Sequence, residues 1–207
     1  MGYNKRGFEE FLKRHKWNSY IQESIIKALN FLAAFVLASL SFGNPQARVD
    51  SVFWCPQRPL VWTDFKSDSK QNGAATTTVI IHRWVETQAG SVLYVKAVFL
   101  REKSSYNPAD TTNDLLNHEA RHFDIAELVA RRTRRDLSGR TFTRSTRKQA
   151  YERLRSMNGD FKSLNNVYDS DSGDSQNKEG QLKWNKYISA QLKALEQYAV
   201  DCKQASF

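Results

Sequence analysis

Apolar and polar positions follow two different periods along the chain, and the change of period predicts the architecture. Residues 60–65 (LVWTDF), 73–87 (GAATTTVIIHRWVET) and 91–100 (SVLYVKAVFL) are dense in β-branched and aromatic residues, the composition of strands. Gln88, Ala89, Gly90 and Ser91 form a turn between the last two, which predicts an antiparallel pair. From about residue 111 the apolar positions recur with helical spacing. A first helix is expected to start at 111–113, where Thr or Asn can cap it, and to end at Leu137, before Ser138 and Gly139. A second is expected over 145–164 and a third over 181–201, with the acidic, small-residue stretch YDSDSGDSQNKEG (168–180) as a loop between them. Strands first and helices after is the order of an α+β domain. The expected form is a small antiparallel sheet packed on the first helix, with two further helices below. Residues 92–99 would form an edge strand open to an extended peptide.

The first helix carries the candidate chemistry. Leu115, His118, His122, Ile125, Ala126 and Val129 fall on one face, so both histidines point inward. The stretch LLNHEARHFDIAEL (115–128) contains His-Glu-x-x-His, and side chains at i and i+4 lie close enough to hold one ion through two imidazoles. Glu119 lies one residue round from the first ligand, where its carboxylate reaches a metal-activated water and can act as general base. Against this stands the plainer reading of two core histidines with Glu119 paired to Arg121 or Arg131. With four His and 22 acidic residues in the chain, a chance match to the pattern is on the order of 1%. The metal-site reading, with zinc as cofactor, is therefore preferred, and with it the expected form is zincin-like.

Charge and the N-terminus place the domain. Lys and Arg are frequent over residues 5–27, and no charge follows from Ala28 to Gly43, the layout of a signal peptide cleaved near Gly43. The alternatives are an uncleaved N-terminal membrane anchor and a buried helix of the domain itself. Residues 1–43 are thus assigned to a leader and 44–207 to a single metallohydrolase-like domain, periplasmic or secreted, without stable membrane insertion once the leader is removed. Residues 1–47 hold six basic and three acidic residues, so the remainder keeps +6 of the formal +9. Much of this lies in ARRTRRDLSGRTFTRSTRK (130–148). No nucleic-acid-binding motif accompanies it, and a solvated helix end rich in Arg is the commoner cause, so the expected partner is a peptide or protein substrate and no specific nucleic acid. The two cysteines, Cys55 and Cys202, can form one disulfide in an exported protein.

The third ligand does not follow from spacing. Ile125 and Leu128 stand where a metzincin needs Gly and His, which excludes that class. Glu152 on the second helix and His82 in VIIHRW remain as candidates. LLNHEARHFDIAELVARR resembles the bacterial proteins catalogued as domain of unknown function 922, predicted exported zinc-dependent proteases. LVWTDFKS with AATT upstream, and YDSDSGDSQNKEGQLKWNKYI downstream, are similar to that family's other blocks, so the resemblance spans about residues 60–188. In the family's downstream block, Tyr-Asp-x-Glu-Thr-x-His-Gly, Tyr168 and Asp169 match, Asp171 falls on Glu, Ser172 on Thr, and Asp174 on the ligand His. The resemblance implies an exported peptidase with His118, His122 and Asp174 as zinc ligands and Glu119 as base. The Asp in place of His also leaves a second expectation, an envelope-binding module that keeps the fold without turnover. Tyr168 and Tyr187 are candidate oxyanion donors, with packing the commoner role of a tyrosine.

Overall fold

The computed structural model describes residues 50–202, and the leader expected over residues 1–43 lies outside them. Among the described residues no helix is long and apolar enough to cross a membrane. The domain is α+β, with the strands in two small sheets and three helices following. Strands β1 (Ser51–Phe53), β4 (Thr78–Thr87) and β5 (Gly90–Leu100) form an antiparallel sheet in the order β1-β5-β4. Three two-residue strands, β2 (Ser67–Asp68), β3 (Ala74–Ala75) and β6 (Ser105–Tyr106), form a mixed one in the order β2-β6-β3.

The β4–β5 hairpin is the expected pair, in register from Thr78 opposite Phe99 to Thr87 opposite Gly90. Gly90 holds φ 126°, and a Cβ there would collide with Thr141 and the Phe142 carbonyl, so the turn requires glycine. Residues 92–99 are not an edge, however. β1 pairs with the C-terminal end of β5, Trp54 N donates to Ala97 O, and Arg134 Nη1 donates to Val95 O. β5 is therefore the central strand, consistent with the burial of Val95 to Phe99 on both faces.

Residues 60–65 are not a strand either. Trp62–Asp64 form a 3-10 turn, because Asp64, 1% exposed, takes Arg58 at 2.7 Å and the Val61 N–H at 3.1 Å on its carboxylate. A buried carboxylate needs such donors, and a turn brings them where a strand would not.

Helix α1 (Asn113–Leu137) has the expected bounds: the Thr112 side chain accepts from Leu115 N, and Ser138 follows the last turn. It packs on the sheet through Phe123, Ala126, Val129 and Ala130, against Phe99, Val95 and Ile80. Its other sides meet α2 (Arg147–Ser172) and α3 (Lys178–Ala194), so burial from Ile125 to Arg131 runs nearly all round the helix rather than along one stripe. Three of the arginines beyond residue 130 serve this packing. Arg131 donates to Glu127 and the Leu192 carbonyl, Arg134 to Glu127, Val95 and Tyr198, and Arg153 to Asp136 and Asp160. Cys55 and Cys202 are joined in a disulfide that ties the chain after α3 to the segment after β1.

Candidate metal centre

His118 and His122 project from the second and third turns of α1 into a cleft of about 930 Å³. The residues facing them come from α2, which continues two turns past its expected end. Asp and Ser favour turns because their side chains compete for the backbone, yet here 168–172 stay helical. Tyr168 and Ser172 are fully buried against α1 and α3, and Gly173, at φ 54°, caps the helix in the left-handed region. The α2–α3 corner is close. Trp184 Nε1 donates to Asp171 Oδ2 at 2.9 Å, and any side chain at Gly180 would run into the Asp171 carbonyl. One face of α2 thus presents Asn165, Tyr168 and Asp169 to the histidines.

His118, His122 and Asp169 form a group able to hold a metal ion. The two Nε2 atoms lie 3.3 Å apart, and Asp169 Oδ1 is 3.6 Å from His118 Nε2 and 3.1 Å from His122 Nε2. A tetrahedral ion with ligands at about 2.0–2.1 Å needs ligand atoms about 3.3–3.4 Å apart, so the triangle has the size such an ion requires.

The hydrogen bonds fix what those atoms offer. His118 Nδ1 is 3.2 Å from Gln181 Oε1, and His122 Nδ1 is 2.7 Å from Asn165 Oδ1. The Asn165 amide is oriented by its donation to the Phe161 carbonyl, and Ser172 Oγ, which gives its hydrogen to the Tyr168 carbonyl, can only accept from His118 Nδ1. Each Nδ1 is therefore the donor, and each Nε2 turns a lone pair toward the other ring and toward Asp169. Asp169 Oδ1 is buried and aligned with no donor. With both rings neutral, three acceptors converge with no hydrogen between them, and either a metal ion or a proton on His122 would supply the cation this arrangement calls for.

The titration behaviour agrees. Burial, and then the neighbouring His122, hold His118 below the usual histidine range. Burial also pushes His122 down, but the adjacent Asp169 carboxylate and Asn165 oxygen outweigh it, and its pKa is raised. A proton on His122 supplies the positive charge that a metal ion would otherwise bring.

Glu119 lines the same cleft, is 4% exposed, and its Oε2 is buried without a hydrogen-bond partner. No residue among those described neutralises it by direct contact, in contrast to the pairing with Arg121 or Arg131: Arg121 goes to Asp124 and Arg131 to Glu127.

Asp174, expected as third ligand, does not join the histidines. It lies one residue beyond the cap of α2, exposed at φ 47°, on the wall of the cleft. The third member of the group that could hold an ion is Asp169, because α2 stays helical to Ser172 and sets Asp169 one turn after Asn165. Glu152 and His82 are exposed elsewhere, on α2 and β4. Tyr168 is packed behind the site: its ring stacks on His118, and its hydroxyl sits 2.9 Å from Gln181 Oε1 and 3.1 Å from the His118 carbonyl. Burial raises its pKa, and it positions His118 rather than facing the cleft. Tyr187 accepts from Arg132 at the surface, outside the cleft.

Gln181 and Asn165 had no signature in the sequence. Only the i, i+4 spacing of Asn165 and Asp169 could have pointed to one of them, and it becomes visible once the helix is extended. No family model, no curated protein and no solved structure matches the chain. The site is therefore read from its own geometry.

Proposed function

We propose that the protein is an exported zinc-dependent hydrolase that cuts peptide bonds, with Glu119 as general base. The observation that carries this reading is the convergence of three potential ligand atoms at tetrahedral spacing beside a buried carboxylate with an unpartnered oxygen. His118, His122 and Asp169 would hold the ion, which supplies a Lewis acid in the cleft. Zinc suits two imidazoles, one carboxylate oxygen and an open fourth position, the ligand set of hydrolytic rather than structural sites.

Glu119 takes a proton from the attacking water as its oxygen bonds to the scissile carbonyl carbon. The same carboxyl then delivers that proton to the amide nitrogen as the C–N bond breaks. Gln181 and Asn165 keep both rings in the ligating tautomer through these steps. Thr76, Thr77 and Thr78, where β4 begins, form the opposite wall of the cleft. β4 is the outer strand of its sheet, so an extended substrate would lie along this strip rather than along β5. The disulfide supports export, since such bonds persist in oxidising compartments.

The test is hydrolysis of a quenched-fluorescence peptide library by zinc-loaded protein. Turnover is expected to stop with a chelator and return on adding zinc. A fully loaded protein that cuts no peptide contradicts the reading.

A further inference from the structure

The charge of the cleft differs in sign from the charge of the chain. The sequence carries a formal +9, yet among the described residues lining the cleft there are four carboxylates, Asp110, Glu119, Asp169 and Asp174, and no Lys or Arg. Two of these belong to the centre itself: a divalent ion on neutral His118 and His122, with Asp169 and Glu119, sums to zero. Asp110 and Asp174 remain as uncompensated negative charge on the walls.

Both are placed by the fold. Asp110 ends the 3-10 turn Pro108–Asp110, and one carboxylate oxygen accepts from Gly73 N at 2.8 Å, which fixes it beside β3. Asp174 lies in the left-handed turn after α2 and is exposed on the cleft lining. The same cleft also holds the buried, unpartnered Glu119 Oε2. A groove of this sign with low-dielectric walls concentrates cations.

We infer that the cleft selects peptides with a cationic side chain, lysine or arginine, and that Asp110 and Asp174 are the residues that attract it. This rests on the hydrolase reading only for what happens after binding. Gly73, Ala74, Ala75 and Thr76 to Thr78 give one stretch of the lining short side chains. A long, flexible cationic side chain therefore has room to reach either carboxylate.

The test uses zinc-loaded Glu119→Gln protein, which binds without turnover and, with its centre at +1, still leaves the cleft negative through Asp110 and Asp174. The ligands are two dye-labelled hexapeptides, one with a single lysine and a twin acetylated at the lysine amine. Fluorescence anisotropy is expected to give about ten-fold tighter binding of the lysine peptide at about 50 mM salt, shrinking at about 0.5 M as screening shortens. In the Asp110→Asn/Asp174→Asn double variant the two peptides should bind within about two-fold of each other. Asparagine keeps the acceptor for Gly73 N, and Asp174 is exposed, so the double variant retains the fold; Asp174→Asn alone should lose part of the preference. Equal binding of the twins to Glu119→Gln protein, no binding of either, or a preference that survives in the double variant would overturn the inference. The two readings fail separately. A lysine preference in a protein whose wild type has no turnover would keep the charge selection and remove the hydrolase, and equal binding in an active protein would do the reverse.

Discussion

Glu119→Gln protein is expected to bind zinc as wild type does and to hydrolyse peptides about 10²- to 10⁴-fold more slowly, the range a positioned general base contributes. The substitution is nearly isosteric and removes only the proton-accepting charge. Glu119 Oε2 has no hydrogen-bond partner to lose, and the side chain is 4% exposed, so replacing a buried charge with an amide should leave thermal stability of the metal-free protein equal or raised. A defect in folding would lower both stability and metal content; a defect in proton transfer lowers only kcat. Unchanged kcat in a fully loaded Glu119→Gln protein would rule out the base. Full zinc loading with no turnover in the wild type would instead favour an envelope-binding module on the same fold.

Replacing Cys55 and Cys202 by serine is expected to lower the unfolding free energy by about 2–4 kcal/mol. The bond closes a loop with a sequence separation of 147, for which chain entropy alone gives about 5 kcal/mol, and measured effects usually fall below that figure. The reduction is expected because the segment after α3 keeps other anchors when the bond is absent: Arg134 still holds the Tyr198 carbonyl and Arg131 that of Leu192. Neither cysteine lines the metal-site cleft, so zinc affinity should be unchanged. Urea unfolding under non-reducing conditions reads the difference, and a loss below about 0.5 kcal/mol would mean that those anchors hold the terminus without the bond.

How much of this was legible depends on how strongly each local signal competes with tertiary demand. Helix α1 could be bounded from the sequence at both ends because a 25-residue apolar period coincides with a Thr cap and a Ser-Gly stop. The β4–β5 hairpin was legible for the same reason, its turn requiring Gly90. The strand order was not. β1 is three residues long, too short to announce itself, and it is what makes β5 central. Residues 60–65 have strand composition, but the buried Asp64 imposes a turn that no propensity reveals.

The site shows the same division. His118, Glu119 and His122 are close in sequence, and one helix holds them in a pattern that spacing alone predicts. The third member of the group that could hold an ion, Asp169, lies 47 positions beyond His122, and its place there depends on whether a run of Asp and Ser is loop or helix. Propensity favours loop, and packing of Tyr168, Ser172 and Gly180 at the α2–α3 corner makes it helix. Asp174 was expected because the resemblance aligns it with the family's ligand His; the extended helix instead brings Asp169 beside the histidines.

Zinc per chain, measured by plasma mass spectrometry on wild type, His118→Ala, Asp169→Ala and Asp174→Ala, tests the proposed centre most directly. About one zinc is expected in wild type and in Asp174→Ala, and close to none in His118→Ala and Asp169→Ala. No zinc in wild type, or zinc kept by Asp169→Ala and lost by Asp174→Ala, would contradict it.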